Sequence, residues 1–372
     1  MAGTAKIRLA VLYGGRSAEH QVSVVSARSV MEALDPARFE VVPIAITRGG
    51  AWLLPDRSPL ELTASEGTLP EVEPAGRELA VRPDRGQSGR GRIATTVGQA
   101  GPTAGLAQID VVFPILHGPF GEDGTVQGLF ELADLPYVGS GVLASALAMD
   151  KAMAKVVLAQ AGLPQGPYVV VPERDWRAGP EQVAAEVAGR LHYPVFTKPA
   201  RLGSSIGISK VKTPDELAAG LATAFAHDNK ALVEQGIAAR ELECGVLGND
   251  APEASVVGEV IPSHEFYDFE AKYLDDALKL EIPAPVPDAV RAQVRELSLR
   301  AFQALDCDGL ARVDFFYEEA TGRVLLNEVN TIPGFTPKSM FPMLWAASGL
   351  AYPDLVARLV DLAVERHAAR RR

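Results

Sequence analysis

A chain of 372 residues is too long for one core of ordinary size and is expected to divide into two or three domains. With 47% hydrophobic and 22% charged residues it has the balance of a globular chain, not a disordered one. Its formal net charge of -11 argues against nucleic acid as a partner, because an acidic surface repels phosphodiester backbones.

Residues 6–13 read as a buried strand, mostly apolar and closed by Gly14-Gly15. This run is too short for the core of a signal peptide, and no segment approaches membrane-spanning length. The only cysteines, Cys244 and Cys307, have neither a CxxC spacing nor an attendant histidine pattern, which argues against disulfides and zinc. A cytoplasmic protein with no membrane association is the expectation.

A helix follows through Val24, Val25, Val30, Met31 and Leu34, capped by either Ser17 or Ser23 and ended by Asp35-Pro36. Residues 39–46 form a second strand, and the strand–helix–strand order predicts a parallel pair. Residues 82–105, rich in Gly, Arg, Ser and Thr, read as a surface loop or insertion. Residues 109–116 are another buried strand, delivering His117-Gly118 at its carboxyl end. Residues 150–161 form an amphipathic helix closed by Gly162 and Pro164. Strands at 168–171 and 195–198 enclose a helix at 180–191. A helix opened by Thr213 runs to about His227, and a strand covers 231–234. The last third combines strands at 242–247 and 256–262 with helices at 287–305 and 352–369. Strands and helices alternating throughout indicate an α/β (α+β) fold.

Ligands in α/β proteins gather where strands end, and four polar, glycine-rich segments stand there. In Lys198-Pro-Ala-Arg-Leu-Gly203-Ser204-Ser205-Ile-Gly207 a strand feeds a lysine into a loop of small residues. Either the loop lets backbone N–H groups approach an anion, with the lysine as a point charge, or it is an ordinary surface loop. It is not a Walker sequence, since no Gly-Lys-Ser/Thr occurs in order.

Arg312-Val-Asp314-Phe-Phe316 and Val324-Leu-Leu-Asn-Glu328-Val-Asn330, separated by turn residues, read as a β-hairpin. Alternation puts Arg312, Asp314 and Phe316 on one face, and Leu326, Glu328 and Asn330 on one face of the partner. Asp314, Glu328 and Asn330 would then present hard oxygen donors suited to Mg²⁺. Charges inside apolar strands need a metal or partner, which favours this over incidental charges on a solvated face. Residues 331–339, with Gly334 and Ser339, and residues 14–20, with Glu19 and His20, could each present N–H groups to a carboxylate. Glu19 could equally complement a helix dipole.

Taken together these blocks resemble the D-alanine–D-alanine ligase family. Gly14-Gly-Arg-Ser-Ala-Glu-His-Gln-Val-Ser23 is similar to its N-terminal signature. His117-Gly-Pro-Phe-Gly-Glu-Asp-Gly-Thr-Val-Gln-Gly128 and residues 139–151, ending in Met-Asp-Lys151, resemble the second. Residues 198–207, 312–315 and 328–334 match the remaining blocks in the same order, so the resemblance runs from Gly14 to Pro342 and leaves residues 82–105 as the main departure.

The resemblance implies an ATP-grasp fold: an N-terminal open parallel-sheet domain at 1–138, a central domain at 139–235 and a C-terminal metal domain at 236–372. It implies ATP and two Mg²⁺ (or Mn²⁺) ions, D-alanine as substrate, peptidoglycan precursor as the destination, and a homodimer. Lys151, Lys198, Ser205 and Lys272 would contact ATP, with Glu234, Gln235 and Ile237 at the adenine and Glu241 at the ribose. Asp314, Glu328 and Asn330 would hold the metals. Glu19 would bind the first ammonium, in a hydrogen-bonded line with Ser204 and Tyr273, and His117 would join the substrate site. Arg312 and the Gly334 N–H would meet the oxyanion, and Ser339 the second carboxylate. Residues 266–273 resemble a closing loop. A depsipeptide ligase, a non-catalytic nucleotide-binding relative and a carboxylase-type subunit are the competing readings. Tyr273, the intact metal set and the Gly14–Ser23 signature respectively disfavour them.

Overall fold

The computed structural model describes residues 6–61, 69–82, 92–95, 109–261 and 279–370. Strand β1 (Ile7–Gly14) is followed by helix α1 (His20–Ala33) and strand β2 (Phe39–Ile46), which pairs parallel to β1 from Ile7↔Phe39 to Gly14↔Ile46, as its pattern predicts. Four consecutive residues of β1, Leu9 to Leu12, are completely buried, which is why the strand reads as unbroken apolar sequence.

Strands β3 (Trp52–Pro55), β4 (Gly76–Arg82) and β5 (Arg92–Thr95) extend this sheet with antiparallel pairing, and β6 (Val111–Pro114) adds a parallel strand beyond β1. The order is β5-β4-β3-β2-β1-β6. The expected open parallel sheet is therefore only its β2-β1-β6 half. The expected loop at 82–105 contains β5, because pairing with β4 gives this segment a partner that its own composition does not advertise. Residues 83–91 and 96–108 lie outside the described set.

Neither Ser17 nor Ser23 caps α1. Glu19 occupies the cap position without a side-chain cap bond. Ser23 lies inside the helix, accepts the Gly14 N–H at 2.8 Å and donates to Ile115 O, tying α1 to the ends of two strands.

After β6 come α2 (Thr125–Leu132), α3 (Val142–Met149) and α4 (Lys151–Gln160). Asp150 caps α4 by accepting the Met153 N–H at 3.1 Å. A four-stranded antiparallel sheet follows, ordered β7-β10-β8-β9: β7 (Tyr168–Pro172), β8 (Val195–Pro199), β9 (Ser209–Val211) and β10 (Lys230–Gln235). Helices α5 (Glu173–Ala178), α6 (Pro180–Arg190) and α7 (Leu217–Phe225) belong to this unit. Val183 and Val187 of α6 and Leu217 and Leu221 of α7 form its core with the strands.

The last sheet, β13-β12-β11-β14-β15, is antiparallel throughout: β11 (Arg240–Gly248), β12 (Glu253–Ile261), β13 (Lys279–Glu281), β14 (Gly309–Glu318) and β15 (Arg323–Asn330). Helix α8 (Asp288–Ala304) covers one face, where Val294, Leu297 and Phe302 meet Leu242, Cys244, Val313 and Phe315. Helix α9 (Met340–Ala347) covers part of the other face, close to Gly245, where a Cβ would stand 2.9 Å from Trp345 Nε1. What remains of that face is free for polar side chains. Helix α10 (Tyr352–Arg370) returns to the N-terminal unit, burying Leu355, Val356, Leu359 and Val360 in one core with Val111 and Phe113. Each such fully buried side chain contributes about 1.5–3 kcal/mol. Both cysteines are free and buried, and no helix among the described residues is long and apolar enough to cross a membrane.

Candidate active site

The open face of the last sheet carries the hairpin charges. Register pairs Arg312 with Asn330 and Asp314 with Glu328, so the four side chains lie together. Arg312 Nε and Nη2 donate to the two oxygens of Asp314 at 2.8 and 2.7 Å, and Asn330 Nδ2 donates to Asp314 Oδ2 at 2.9 Å. Glu243, on neighbouring β11, reaches Arg312 Nε at 2.9 Å. Burial opposes charge on Arg312, but Asp314 and Glu243 more than offset it and hold its pKa well above the ordinary value. Leu326, expected beside Glu328, is not there. Between Asp314 and Phe315 the register shifts by one residue of β15, so Leu326 faces Phe315 in the α8 core. Glu241 lies on the Glu243 face, opposite Phe316, and is exposed.

Lysines approach from the central unit. Lys151, at the start of α4, places Nζ 3.2 Å from Glu328 Oε2 and 3.0 Å from Leu202 O. Lys198 at the end of β8 pairs with Glu234 Oε2, and Lys155, one turn beyond Lys151, lies 2.8 Å from Glu234 Oε1. Burial would raise the Glu234 pKa, but these two lysines outweigh it and bring the carboxyl down to about 2. Burial likewise opposes charge on Lys198, and Glu234 with Glu328 reverses the effect. The Gln235 side chain, by alternation, points elsewhere and accepts the His192 N–H at 3.1 Å. Ile237 packs where a Gly166 Cβ would stand, 2.8 Å from its Cδ1.

The N-terminal loop closes the third side. A Cβ at Gly14 (φ +89°) would stand 2.3 Å from Ile46 O, so only glycine turns the chain there. Beyond it Glu19, largely buried, accepts a hydrogen bond from Ser204 Oγ, which is the first link of the expected Glu19–Ser204–Tyr273 line. Ser204 and Ser205 hold consecutive left-handed conformations (φ +52° and +58°), each strained for a non-glycine residue. Tyr273 and Lys272 lie outside the described residues.

His117 is buried, with Nδ1 2.9 Å from Ile332 O and Nε2 3.4 Å from Ser26 Oγ, and Ser17 Oγ donates to its carbonyl at 2.7 Å. Glu122 accepts the Gly118 N–H at 2.6 Å and the Ile332 N–H at 3.0 Å. Burial, and then the neighbouring Glu19, push its carboxyl up to about 8. The loop after β15 ends at Ser339, whose Oγ accepts the Thr336 N–H at 3.1 Å and would stand 3.1 Å from a Cβ at Gly334. Phe335 anchors this loop between Phe113, Phe341 and Tyr352, at ring separations of 6.0, 5.9 and 5.8 Å.

Sequence reasoning thus names most of this constellation. It misses Glu122, Lys155 and Glu243. Glu122 sits inside the quoted His117–Gly128 block, and Lys155 follows Lys151 at the helical i+4 spacing, so both had a visible signal. Glu243 had none, because cross-strand register alone brings it to Arg312.

A mixed sheet with a parallel half, joined to two antiparallel sheets whose lysines and carboxylates meet, defines an ATP-grasp protein. The description "D-ala D-ala ligase N-terminus" matches residues 8–140, and "D-ala D-ala ligase C-terminus" matches residues 157–361. The chain belongs to the D-alanine–D-alanine ligase family. The D-alanine–D-alanine ligase of Mycolicibacterium vanbaalenii is 52% identical over 372 residues, spanning 98% of both chains. That of Paenarthrobacter aurescens is 50% identical over 370 residues, spanning 98% of this chain and 96% of its own. Among solved structures, the VanG D-Ala:D-Ser ligase from Enterococcus faecalis superposes with a TM-score of 0.83 at 35% identity, covering 96% of this chain and 100% of that one. The D-alanine–D-alanine ligase from Coxiella burnetii gives 0.80 at 35% identity, covering 99% and 97%.

Proposed function

We propose that this chain is an ATP-dependent ligase that joins two D-alanines to D-alanyl-D-alanine through an acyl phosphate, supplying peptidoglycan precursor in the cytoplasm. One observation supports this most: Lys151 reaches Glu328 across the cleft while Ser204 of the central loop reaches Glu19 of the N-terminal loop. In this reading the lysine that would meet phosphate and the carboxylate that would meet the ammonium are each tied to a neighbouring unit.

A carboxylate is a poor acyl donor. The first D-alanine carboxylate therefore attacks the γ-phosphorus of ATP, giving an acyl phosphate and ADP. Such in-line transfer needs charge neutralisation more than covalent help, which Lys151 and Lys198 supply with N–H groups of the Ser204–Ser205 loop. Glu19 and the His117 loop orient the first amino acid. The second amino acid, held at its carboxylate by Ser339, attacks with its amine. Arg312 and the Gly334 N–H meet the oxyanion, and phosphate leaves. Glu234, the Gln235–Ile237 main chain and Glu241 take the nucleoside.

Asp314, Glu328 and Asn330 fit Mg²⁺ or Mn²⁺. They offer hard oxygens, and Asn330 turns its nitrogen to Asp314, leaving its amide oxygen for an ion. Only two of the three are carboxylates, and no group of three His, Cys, Asp or Glu stands together among the described residues, so phosphate and water would complete the shell of an ion held here. Such an ion would neutralise charge on the transferring phosphate. In this reading the protein acts as a homodimer.

The test measures ADP release and dipeptide with D-alanine, L-alanine, D-serine or D-lactate as acceptor. Dipeptide from D-alanine at one ADP each is expected. Equal or faster turnover with D-serine or D-lactate would overturn the assigned substrate.

A further inference from the structure

The junction between the N-terminal loop and the loop after β15 is held by a carboxylate to which the reaction above gives no task. Glu122 divides its two oxygens between the two units: Oε2 accepts the Gly118 N–H at 2.6 Å and Oε1 the Ile332 N–H at 3.0 Å. Beside it His117 Nδ1 lies 2.9 Å from Ile332 O, so residue 332 is gripped through both its N–H and its carbonyl. One flank of this seam carries the first amino acid's anchor, since a Cβ at Gly118 would stand 2.9 Å from Glu19 Oε2. The other flank leads within two residues to Gly334, and then to Ser339.

We infer that Glu122 is a positioning residue for ligation: it sets the separation between the Glu19 site of the first amino acid and the Gly334–Ser339 loop that receives the second. This rests on the roles given above to Glu19, Gly334 and Ser339. A carboxyl group suits the task because each oxygen of its short fork can accept, protonated or not. Glutamine keeps one acceptor and turns the other prong into a donor facing an N–H. Aspartate is one methylene short of spanning both. A hydrogen bond of this kind is worth up to roughly tenfold in an equilibrium. If the two loops drift apart, the acyl phosphate forms but meets water before the amine.

The test compares the full-length wild type, Glu122→Gln, Glu122→Asp and Glu19→Gln with ATP, Mg²⁺ and D-alanine. Released ADP, dipeptide, the KM of each D-alanine and melting temperature are read on the same preparations. For Glu122→Gln, ADP per dipeptide is expected to rise severalfold. The KM of the second D-alanine should rise roughly tenfold, with that of ATP within about twofold. Glu122→Asp should shift the same quantities less, and it decides the matter if Glu122→Gln does not fold. Wild-type ratio and KM values would overturn the inference even with a lowered melting temperature, for then Glu122 only braces the fold. A wild-type Glu19→Gln would instead remove the site reading beneath it. An impaired Glu19→Gln beside a normal Glu122→Gln would remove this inference alone.

Discussion

Arg312 occupies the position where one side chain has two masters. Its Nε and Nη2 are committed to Asp314, and Glu243 approaches Nε as well, yet the proposed reaction asks the same guanidinium to meet an oxyanion. Lysine at 312 would keep the charge and lose the planar fork. Arg312→Lys is expected to lower turnover on the order of 10²-fold while ATP affinity changes little. If it lowers only the melting temperature, with turnover per folded molecule intact, the residue is a hairpin brace. Glu328 carries a sharper expectation, because it faces both Lys151 and Asp314. Glu328→Gln should reduce turnover by at least about a hundredfold and raise the Mg²⁺ concentration needed for activity, since a carboxylate ligand becomes a neutral one. An unchanged Mg²⁺ titration would remove it from the metal set. The residue types at both positions were legible in the sequence, and Glu243 as a third party to Arg312 was not.

The hairpin β14–β15 and the strand β10 show how elements sort these residues. Alternation alone places Leu326 with Glu328. The extra residue in β15 instead sends Leu326 to the core and keeps Glu328 and Asn330 over Asp314. A bulge leaves no mark in composition, so period-two reading fails there and nowhere else along the hairpin. In β10, alternation holds: Glu234 turns to Lys198 and Lys155, and Gln235 to His192. Neutralising a buried carboxylate between two lysines leaves their charges uncompensated, at a cost of about 3–5 kcal/mol. Glu234→Gln should therefore lower the melting temperature by several degrees at pH 7 and raise the KM of ATP. A variant as stable as the wild type would show that one lysine loses its proton instead.

Over the whole molecule, two carboxyls with opposite displacements shape stability against pH. Glu234 titrates near 2 in the fold, below its unfolded value, so its stabilisation is present above pH 4.5 and fades as pH falls toward 2. Glu122 titrates near 8, above its unfolded value, so its contribution is full below pH 4.5 and is lost as pH rises through 8. Melting temperature measured from pH 4 to 9 should show the wild type losing ground relative to Glu122→Gln as pH rises. Parallel curves would mean that Glu122 does not titrate in that window.

Local sequence was enough to read the parallel β1–α1–β2 start, the hairpin, the lysine and glycine-serine loop after β8, and most of the residues gathered around them. Those features depend on local periodicity, turn chemistry and ordered motifs, which neighbouring residues encode. Contacts between distant segments set β5 at the edge of the first sheet and α10 against the core of the N-terminal unit. Such contacts also set Ser23 to tie strands rather than cap a helix, and Glu122 to join residues 118 and 332. Each of these depends on a partner far away in the chain, and distance in sequence carries no local signal of contact in space.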